Sequence, residues 1–191
     1  MNETHILYKS LVKEIFHNPH KYVKTEMVGG FVKIKTGKID VNAGSKDGRY
    51  PFFSCAQEIL KIDNYTYDCE CVLVAGNGDL NVKYYDGKFN AYQRTYIIES
   101  LNKKVISNKF LYYFYEYFIY ELKIKAVGGV IKYLRMNNLT DLPLPIISYN
   151  EQNEIVKKID SLRKNIQDII FQKNIVLEIR KQIINKLFGE K

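Results

Sequence analysis

Residues Tyr149–Phe188 read YNEQNEIVKKIDSLRKNIQDIIFQKNIVLEIRKQIINKLF, with neither proline nor glycine. Ile155, Ile159, Leu162, Ile166 and Ile169 recur at alternating steps of four and three, the spacing that keeps side chains on one helical face. Val176, Ile183 and Leu187 continue the register. Lys173 and Arg180 interrupt it, and Ile170, Leu177 and Ile184 widen the stripe. Asn150 is placed to cap the helix, with Glu151 and Glu154 beside the positive end of its dipole. At ~1.5 Å per residue the segment predicts a rod of roughly 60 Å. So long a rod cannot bury its stripe on one small domain. It requires a partner helix, from this chain, from a second copy or from another protein.

Ahead of the rod, Leu142-Pro143-Leu144-Pro145 forms a corner, and between residue 23 and that corner the texture is different. Short apolar or alternating runs are separated by Gly, Asn and Asp. Phe31-Val32-Lys33-Ile34-Lys35 alternates, and Val72-Leu73-Val74-Ala75 reads as a buried strand closed by Gly76-Asn77-Gly78-Asp79. Arg94-Thr95-Tyr96-Ile97-Ile98 reads as another strand. Val82-Lys83-Tyr84-Tyr85, Asp86-Gly87 and Lys88-Phe89 predict a hairpin with a two-residue turn. Residues 108–121, rich in Tyr, Phe and Leu and free of breakers, predict a core helix. The fold class predicted is α+β: a mixed, mostly antiparallel curled β-sheet with packed helices, followed by a long C-terminal coiled-coil helix.

At the other end, residues 4–17 predict a short helix with Leu7, Leu11 and Ile15 on one face, ended by Asn18-Pro19. Residues 8–16 (YKSLVKEIF) and 180–188 (RKQIINKLF) share a faint pattern, one copy on each side of the globular part. The chain thus divides into a short N-terminal helix (1–22), a globular part (23–148) and the long helix (149–191).

A length of 191 residues suits one ordinary domain plus an extension, and 46% hydrophobic residues exclude global disorder. Lys and Arg number 29 against 21 Asp and Glu, a formal net charge of +8. That favours an anionic partner, nucleic acid or an acidic membrane surface. Three cysteines, an odd number, argue against a disulfide framework and for a reducing compartment. Cys69 and Cys71 with Cys55 upstream lack a fourth zinc ligand, and His5, His17 and His20 sit at the N-terminus without matching spacing. No metal site is expected, and the cysteines read as half-buried strand residues. No apolar run reaches the ~20 residues of a membrane span, and the first residues carry no signal-peptide pattern. The expected location is cytoplasmic, with no membrane partner.

Tests for catalytic chemistry come back empty. Gly30 through Gly37-Lys38 lacks P-loop spacing, and Ile39 stands where Ser or Thr is needed. Asn18-Pro19-His20 lacks the second proline of the Asn/Asp-Pro-Pro-Tyr motif of amino-methyltransferases. Asp79 with Lys83, and Asp86 with Lys88, sit in polar turns and make a poor nuclease cluster. No nucleophile elbow is present. A binding module is favoured over an enzyme.

What the loops do show is an interleaving of basic, amide and aromatic residues. Gly44-Ser45-Lys46-Asp47-Gly48-Arg49-Tyr50, Asn90-Ala91-Tyr92-Gln93-Arg94 and Lys132-Tyr133-Leu134-Arg135-Met136-Asn137-Asn138 are the examples. Arg and Lys read guanine and hold phosphates, Asn and Gln pair with adenine edges, and Tyr packs or bonds to phosphate. The candidate DNA-binding residues are Lys46, Arg49, Asn77, Tyr92, Gln93, Arg94, Lys132, Tyr133 and Arg135. The candidate helix interface is Ile155, Ile159, Leu162, Ile166, Ile169, Val176, Ile183 and Leu187.

Three stretches carry a family resemblance. They are Ala126-Val127-Gly128-Gly129-Val130-Ile131-Lys132, then Leu139-Thr140-Asp141-Leu142-Pro143-Leu144-Pro145, then Asn150-Glu151-Gln152 opening the heptad helix. Gly48-Arg49-Tyr50-Pro51-Phe52-Phe53, Val72-Leu73-Val74-Ala75-Gly76-Asn77-Gly78 and Gln93-Arg94 before a strand support them. In this the chain resembles the specificity (S) subunit of type I restriction-modification systems, over nearly its whole length. It departs at Pro145-Ile146-Ile147, where the family commonly has a second proline.

The resemblance implies one target recognition domain (23–148) followed by one conserved-region helix for dimerisation and methyltransferase docking, half of a full specificity subunit. It implies a non-catalytic chain that binds double-stranded DNA and directs a methyltransferase (M) subunit and a restriction (R) subunit to a bipartite site. S-adenosylmethionine belongs to the partner methyltransferase, and this chain needs no cofactor. Two copies with antiparallel C-terminal helices would rebuild the full shape as a homodimer. The short N-terminal helix is then expected beside the partner's rod; the alternative is a truncated piece of a longer protein, with that helix left over from a preceding conserved region. A recognition subunit for a combined restriction-methylation enzyme, a small basic nuclease and a coiled-coil interaction protein remain the other readings.

Overall fold

The computed structural model describes residues 3–17, 24–127 and 133–188. Helix α1 (Glu3–His17) is followed by strands β1 (Thr25–Met27), β2 (Val32–Thr36), β3 (Tyr50–Phe53), β4 (Leu60–Ile62), β5 (Tyr67–Ala75), β6 (Val82–Ala91) and β7 (Thr95–Ser100). Helices α2 (Asn108–Lys125) and α3 (Met136–Thr140), strand β8 (Pro143–Pro145) and helix α4 (Tyr149–Phe188) complete the chain. Six strands form one sheet in the order β2-β7-β5-β6-β3-β4, antiparallel except for β3 against β6. Strand β8 pairs with β1, so the proline corner is tied back to the start of the globular part.

The period-2 logic of strands sorts the centre of this sheet into two cores. Val72 and Val74 on β5, with Ile98 on β7, face α2 and share its core. Cys71, Leu73 and Ile97 face the other way, into a smaller cluster with Phe53, Tyr67, Phe89 and Ala91. The sheet curls enough for β3 and the end of β6 to close over that second cluster. Helix α2 is buried nearly all round over residues 110–115 and on one side beyond, where Phe118 and Leu122 are enclosed while Tyr120 and Ile124 are exposed. Strands β5 and β6 cover one side, and α1, α3 and α4 take the others. Its start is fixed by Ser107, whose Oγ accepts the Phe110 N–H at 3.2 Å.

The expected hairpin at Asp86-Gly87 does not form. Strand β6 runs straight through it, with Glu70 opposite Asp86 and Cys69 opposite Gly87. Gly87 holds φ +130°, a conformation open to glycine, inside the strand. Doubling back there would pull Phe89, which is fully buried, out of the second core; burial outweighs the local turn preference. The reversal lies upstream instead, at residues 76–81, with Gly78 at φ +66°.

Helix α4 spans the segment expected, but its cap is Ser148 and not Asn150. The Ser148 Oγ accepts the Glu151 N–H at 3.3 Å, and the Glu151 carboxylate accepts from the Ser148 N–H at 2.9 Å and hydroxyl at 2.7 Å. This reciprocal capping box holds the Glu151 carboxyl below the usual carboxylate range. Helix α1 packs on α2 and on the docked half of its own chain's α4. Val12, Ile15 and Phe16 are buried there, and the Phe16 ring meets Phe110, Phe114 and Tyr117.

Candidate nucleic-acid interface

One rim of the sheet gathers the ends of β2, β5 and β7 with residues 133–135. The turn between β6 and β7 is held by its backbone. Tyr92 N–H donates to Phe53 O at 2.9 Å, Gln93 N–H to Ile39 O at 3.0 Å and Thr95 N–H to Tyr92 O at 2.8 Å. With the main chain thus anchored, the Gln93 and Arg94 side chains stand exposed. Gly76 lies between two segments: its N–H donates to Arg94 O at 2.8 Å, and its carbonyl accepts the Leu134 N–H at 2.8 Å. A Cβ at Gly76 would sit 2.4 Å from Arg94 O, so only glycine permits the approach. Asn77 bridges to Tyr133, and Tyr96 Oη donates to Leu134 O at 2.9 Å.

These contacts enclose an open recess of about 330 Å³ lined by Thr36, Gly76, Gln93, Arg94, Tyr96, Tyr133 and Leu134. Arg94 and Arg135 are exposed and have no carboxylate partner among the described residues. By contrast, Lys33 and Lys35 on β2 pair with Glu99, and Lys103 pairs with Glu70. Next to the recess, the Lys83 ammonium donates to Ala56 O at 2.7 Å and also to Asn81 Oδ1, and burial lowers its pKa. That lysine ties residues 54–58 to the β5–β6 turn. On the same turn Asp79 receives Gln57 and Lys123, whose hydrogen bonds hold its carboxyl below the usual range. The rim therefore presents guanidinium, amide and phenol donors in a fixed frame, the chemistry that phosphates and base edges accept.

Among the sequence candidates, Asn77, Gln93, Arg94 and Tyr133 meet at this rim. Tyr92 is half-buried in the turn that supports them, and Arg135 follows on the same segment, its N–H held by Asn138 Oδ1 at 2.8 Å. Lys46 and Arg49 do not join it. They precede β3, at the opposite end of that strand from Phe53 and Tyr92, and Arg49 donates to Asp63 O at 3.1 Å. Lys132 lies outside the described residues. Thr36, Tyr96 and Leu134 line the recess without having been singled out. Only Gly76, in its Gly-Asn-Gly turn, carried a signal, that of close backbone approach. No set of three or more His, Cys, Asp or Glu side chains suited to a metal occurs among the described residues, and Cys55, Cys69 and Cys71 are free thiols.

The helix candidates divide along the rod. Ile159 is fully buried, and Ile155 packs against the same core of this chain. Leu162 and Ile166 are half-buried. Ile169, Val176, Ile183 and Leu187 are exposed, along with Ile170, Phe171, Ile175, Leu177, Ile179, Ile184 and Phe188. Continuous exposed apolar surface is the feature that generally distinguishes interaction sites from ordinary surface. No helix among the described residues is long and apolar enough to cross a membrane.

Comparison with known proteins places these features. Residues 21–179 match the family described as Type I restriction modification DNA specificity domain, a span that takes in both the sheet and most of the rod. The chain is 40% identical over 144 residues to the type I restriction enzyme EcoDI specificity subunit of Escherichia coli, covering 75% of this chain and 32% of that protein. The fold is shared with the crystal structure of the S subunit of a type I restriction-modification system from M. genitalium. There the TM-score is 0.67 at 19% identity, over 87% of this chain and 46% of that one. It is shared too with the HsdS subunit from Thermoanaerobacter tengcongensis, with TM-score 0.69 at 13% identity, over 98% of this chain and 51% of that one. The chain thus spans from 32% to 51% of the length of these relatives. It belongs to the family of type I restriction-modification DNA specificity domains.

Proposed function

We propose that this chain is the sequence-recognition subunit of a type I restriction-modification system, acting in the cytoplasm as a homodimer on double-stranded DNA. Residues 23–148 form the target recognition domain, and residues 149–191 dimerise and dock the methyltransferase. The observation that carries this reading is that one family domain covers both the sheet and most of the rod, while the rod's distal half is bare. Two copies joined by antiparallel distal halves would carry two identical rims at a fixed separation and read two inverted half-sites. Phe171, Ile175 and Ile179, at steps of four beside the main stripe, offer a second apolar line to the methyltransferase. The chain performs no chemistry. A separate adenine-N6 methyltransferase carries S-adenosylmethionine and flips the base, and a restriction subunit adds cleavage of unmodified DNA.

The test is co-expression with the adjacent methyltransferase and single-molecule mapping of N6-methyladenine. A new, symmetric, split motif supports both recognition and the two-copy assembly. An asymmetric motif keeps recognition but requires a different second half. No new methylation from a stable complex sinks the homodimer reading. At the rim, Arg94→Ala and Arg135→Ala should each weaken DNA binding and lower the salt slope by about 1 if the side chain holds a phosphate. A base contact would instead cost ~1–3 kcal/mol at one position of the motif and relax it there. Unchanged methylation profiles in both variants reject both assignments.

A further inference from the structure

The rod touches its own domain only over residues 149–166, so the direction in which it leaves is fixed by the contacts there. From residue 167 onward every described side chain is exposed. That free half is ~33 Å long, so a tilt of about 10° at the root moves its tip by roughly 6 Å. Neighbouring nucleotides lie ~3.4 Å apart along a duplex, so such a tilt is worth more than one base-pair step. An assembly that measures a distance with this rod needs a stiff root.

Two polar fastenings stand on the docked face. The first is Gln152, fully buried in the first turn. Its Oε1 accepts the Ser107 N–H at 3.0 Å, and its Nε2 donates to Val105 O at 2.7 Å and Ile147 O at 3.1 Å. The second is Arg163, three turns on. Its Nε and Nη2 donate to Tyr8 Oη at 3.0 and 2.7 Å, its Nη1 donates to Tyr112 Oη at 2.6 Å, and Nη2 pairs with the Glu116 carboxylate. Tyr8 Oη in turn donates to Glu116 at 2.8 Å. The guanidinium carbon lies 5.1–5.3 Å from the ring centres of Tyr8, Tyr112 and Tyr113. One turn back, Tyr113 donates to Asp160, which also meets Lys109 at 3.5 Å. Beyond Arg163 the seam opens into a notch of about 200 Å³ between Tyr8, Arg163, Ile166 and Gln167.

This cluster joins α1, α2 and the rod, and α2 rests on β5 and β6. A half-buried ion pair adds little stability over a well-packed apolar contact of the same size. What the flat guanidinium adds is direction, because its donors meet their acceptors in one orientation only. We propose that Arg163, held by Glu116, Tyr8 and Tyr112, is a positioning residue that sets the angle of the rod to the recognition sheet, and with it the half-site separation the assembly accepts. The angular part stands on the contacts above; the half-site part rests on the function proposed.

The test is a pulsed electron-spin distance measurement on the full chain, with labels carried on non-canonical residues at positions 61 and 181. The native cysteines stay in place, and excess unlabelled chain dilutes out distances between copies. The wild type should give one narrow distribution. The decisive variant is Arg163→Met with Glu116→Leu, which removes the clasp without stranding a charge. It should melt as the wild type does, yet show a distribution about twofold broader. An unchanged narrow distribution overturns the proposal. Should the double variant fail to fold, Arg163→Lys keeps the charge and loses the fork, and a wild-type distribution there overturns it equally. In methylation mapping, the double variant should accept spacers one base pair longer and shorter. If the wild type methylates nothing, the homodimer reading fails, and the distance distributions still decide the clasp.

Discussion

The two halves of α4 have the same helical period and opposite fates. Over residues 149–166 the stripe is sunk into the chain's own core, with Ile159 at 0% exposure and Gln152 buried beside it. Over residues 167–188 the stripe is denser in large apolar side chains, yet Ile183 is 52% and Phe188 78% exposed. Heptad spacing creates an apolar face but does not say what covers it. The docked half is a structural element of its own domain. The bare half is left exposed by its own chain, and its role as an interface is the proposal above.

The sharpest way to break the comparison is to make one truncation in each half. Ile159→Ala should cost about 2–5 kcal/mol, because its cavity opens inside packed core. Ile183→Ala should leave the stability of the isolated chain within about 0.5 kcal/mol and weaken self-association. Chemical melts at low concentration, paired with sedimentation velocity, read both effects. Equal losses of stability would mean the distal half is docked after all.

A smaller effect is expected at the first fastening. Gln152→Ala strands the Ser107 N–H and two carbonyls, a loss of about 1–3 kcal/mol. Hydrogen exchange should then rise at residues 105–108 and 147–152, with no change beyond residue 170. A protection loss spread evenly along the rod would contradict the division into halves.

The smallest effect is acid-linked and belongs to the docked side. Burial pushes the Glu70 carboxyl up, but the hydrogen bonds from Lys103, Tyr84 and Asn108 and the Lys103 charge outweigh it, and its pKa lies below the ordinary value. Glu99 is likewise raised by burial and lowered further by Lys35 and Lys33. A folded pKa below the unfolded one stabilises fully above about pH 4.3 and is lost as pH falls through the folded value. Because the Asn108 Nδ2 donates to Glu70 O at 2.8 Å, this loss falls on the socket that Gln152 enters through Ser107. Melting temperature should drop more steeply between pH 5 and pH 2 in the wild type than in Glu70→Gln. Parallel curves would remove Glu70 from the account.

Much of this architecture was legible in particular residues. The rod was visible because 40 residues pass without a breaker, and α2 because a run of aromatics meets no Gly or Pro. The misread cap has a local explanation: Ser148 and Glu151 form a reciprocal pair, a stronger signal than Asn150 alone. The misread hairpin does not. Asp86-Gly87 is a good turn sequence, and it stays extended because Phe89 gains more from the second core than the turn would return. At the rim, Gln93 and Arg94 could be named because they flank a strand. Nothing in composition separates Arg94 from Arg49, which is equally basic and equally set among loop residues but lies at the far end of β3.

Local and periodic properties were therefore readable from the chain alone: element type, the apolar face of each helix, net charge and the absence of catalytic motifs. These depend on neighbours within a few residues. Which loops share a rim, which half of the rod is sheathed, and that Tyr8 and Arg163 meet across 155 positions of sequence were settled by packing. Such contacts form only once the curled sheet, α2 and the rod's root bury one another, and no short window of sequence contains all three.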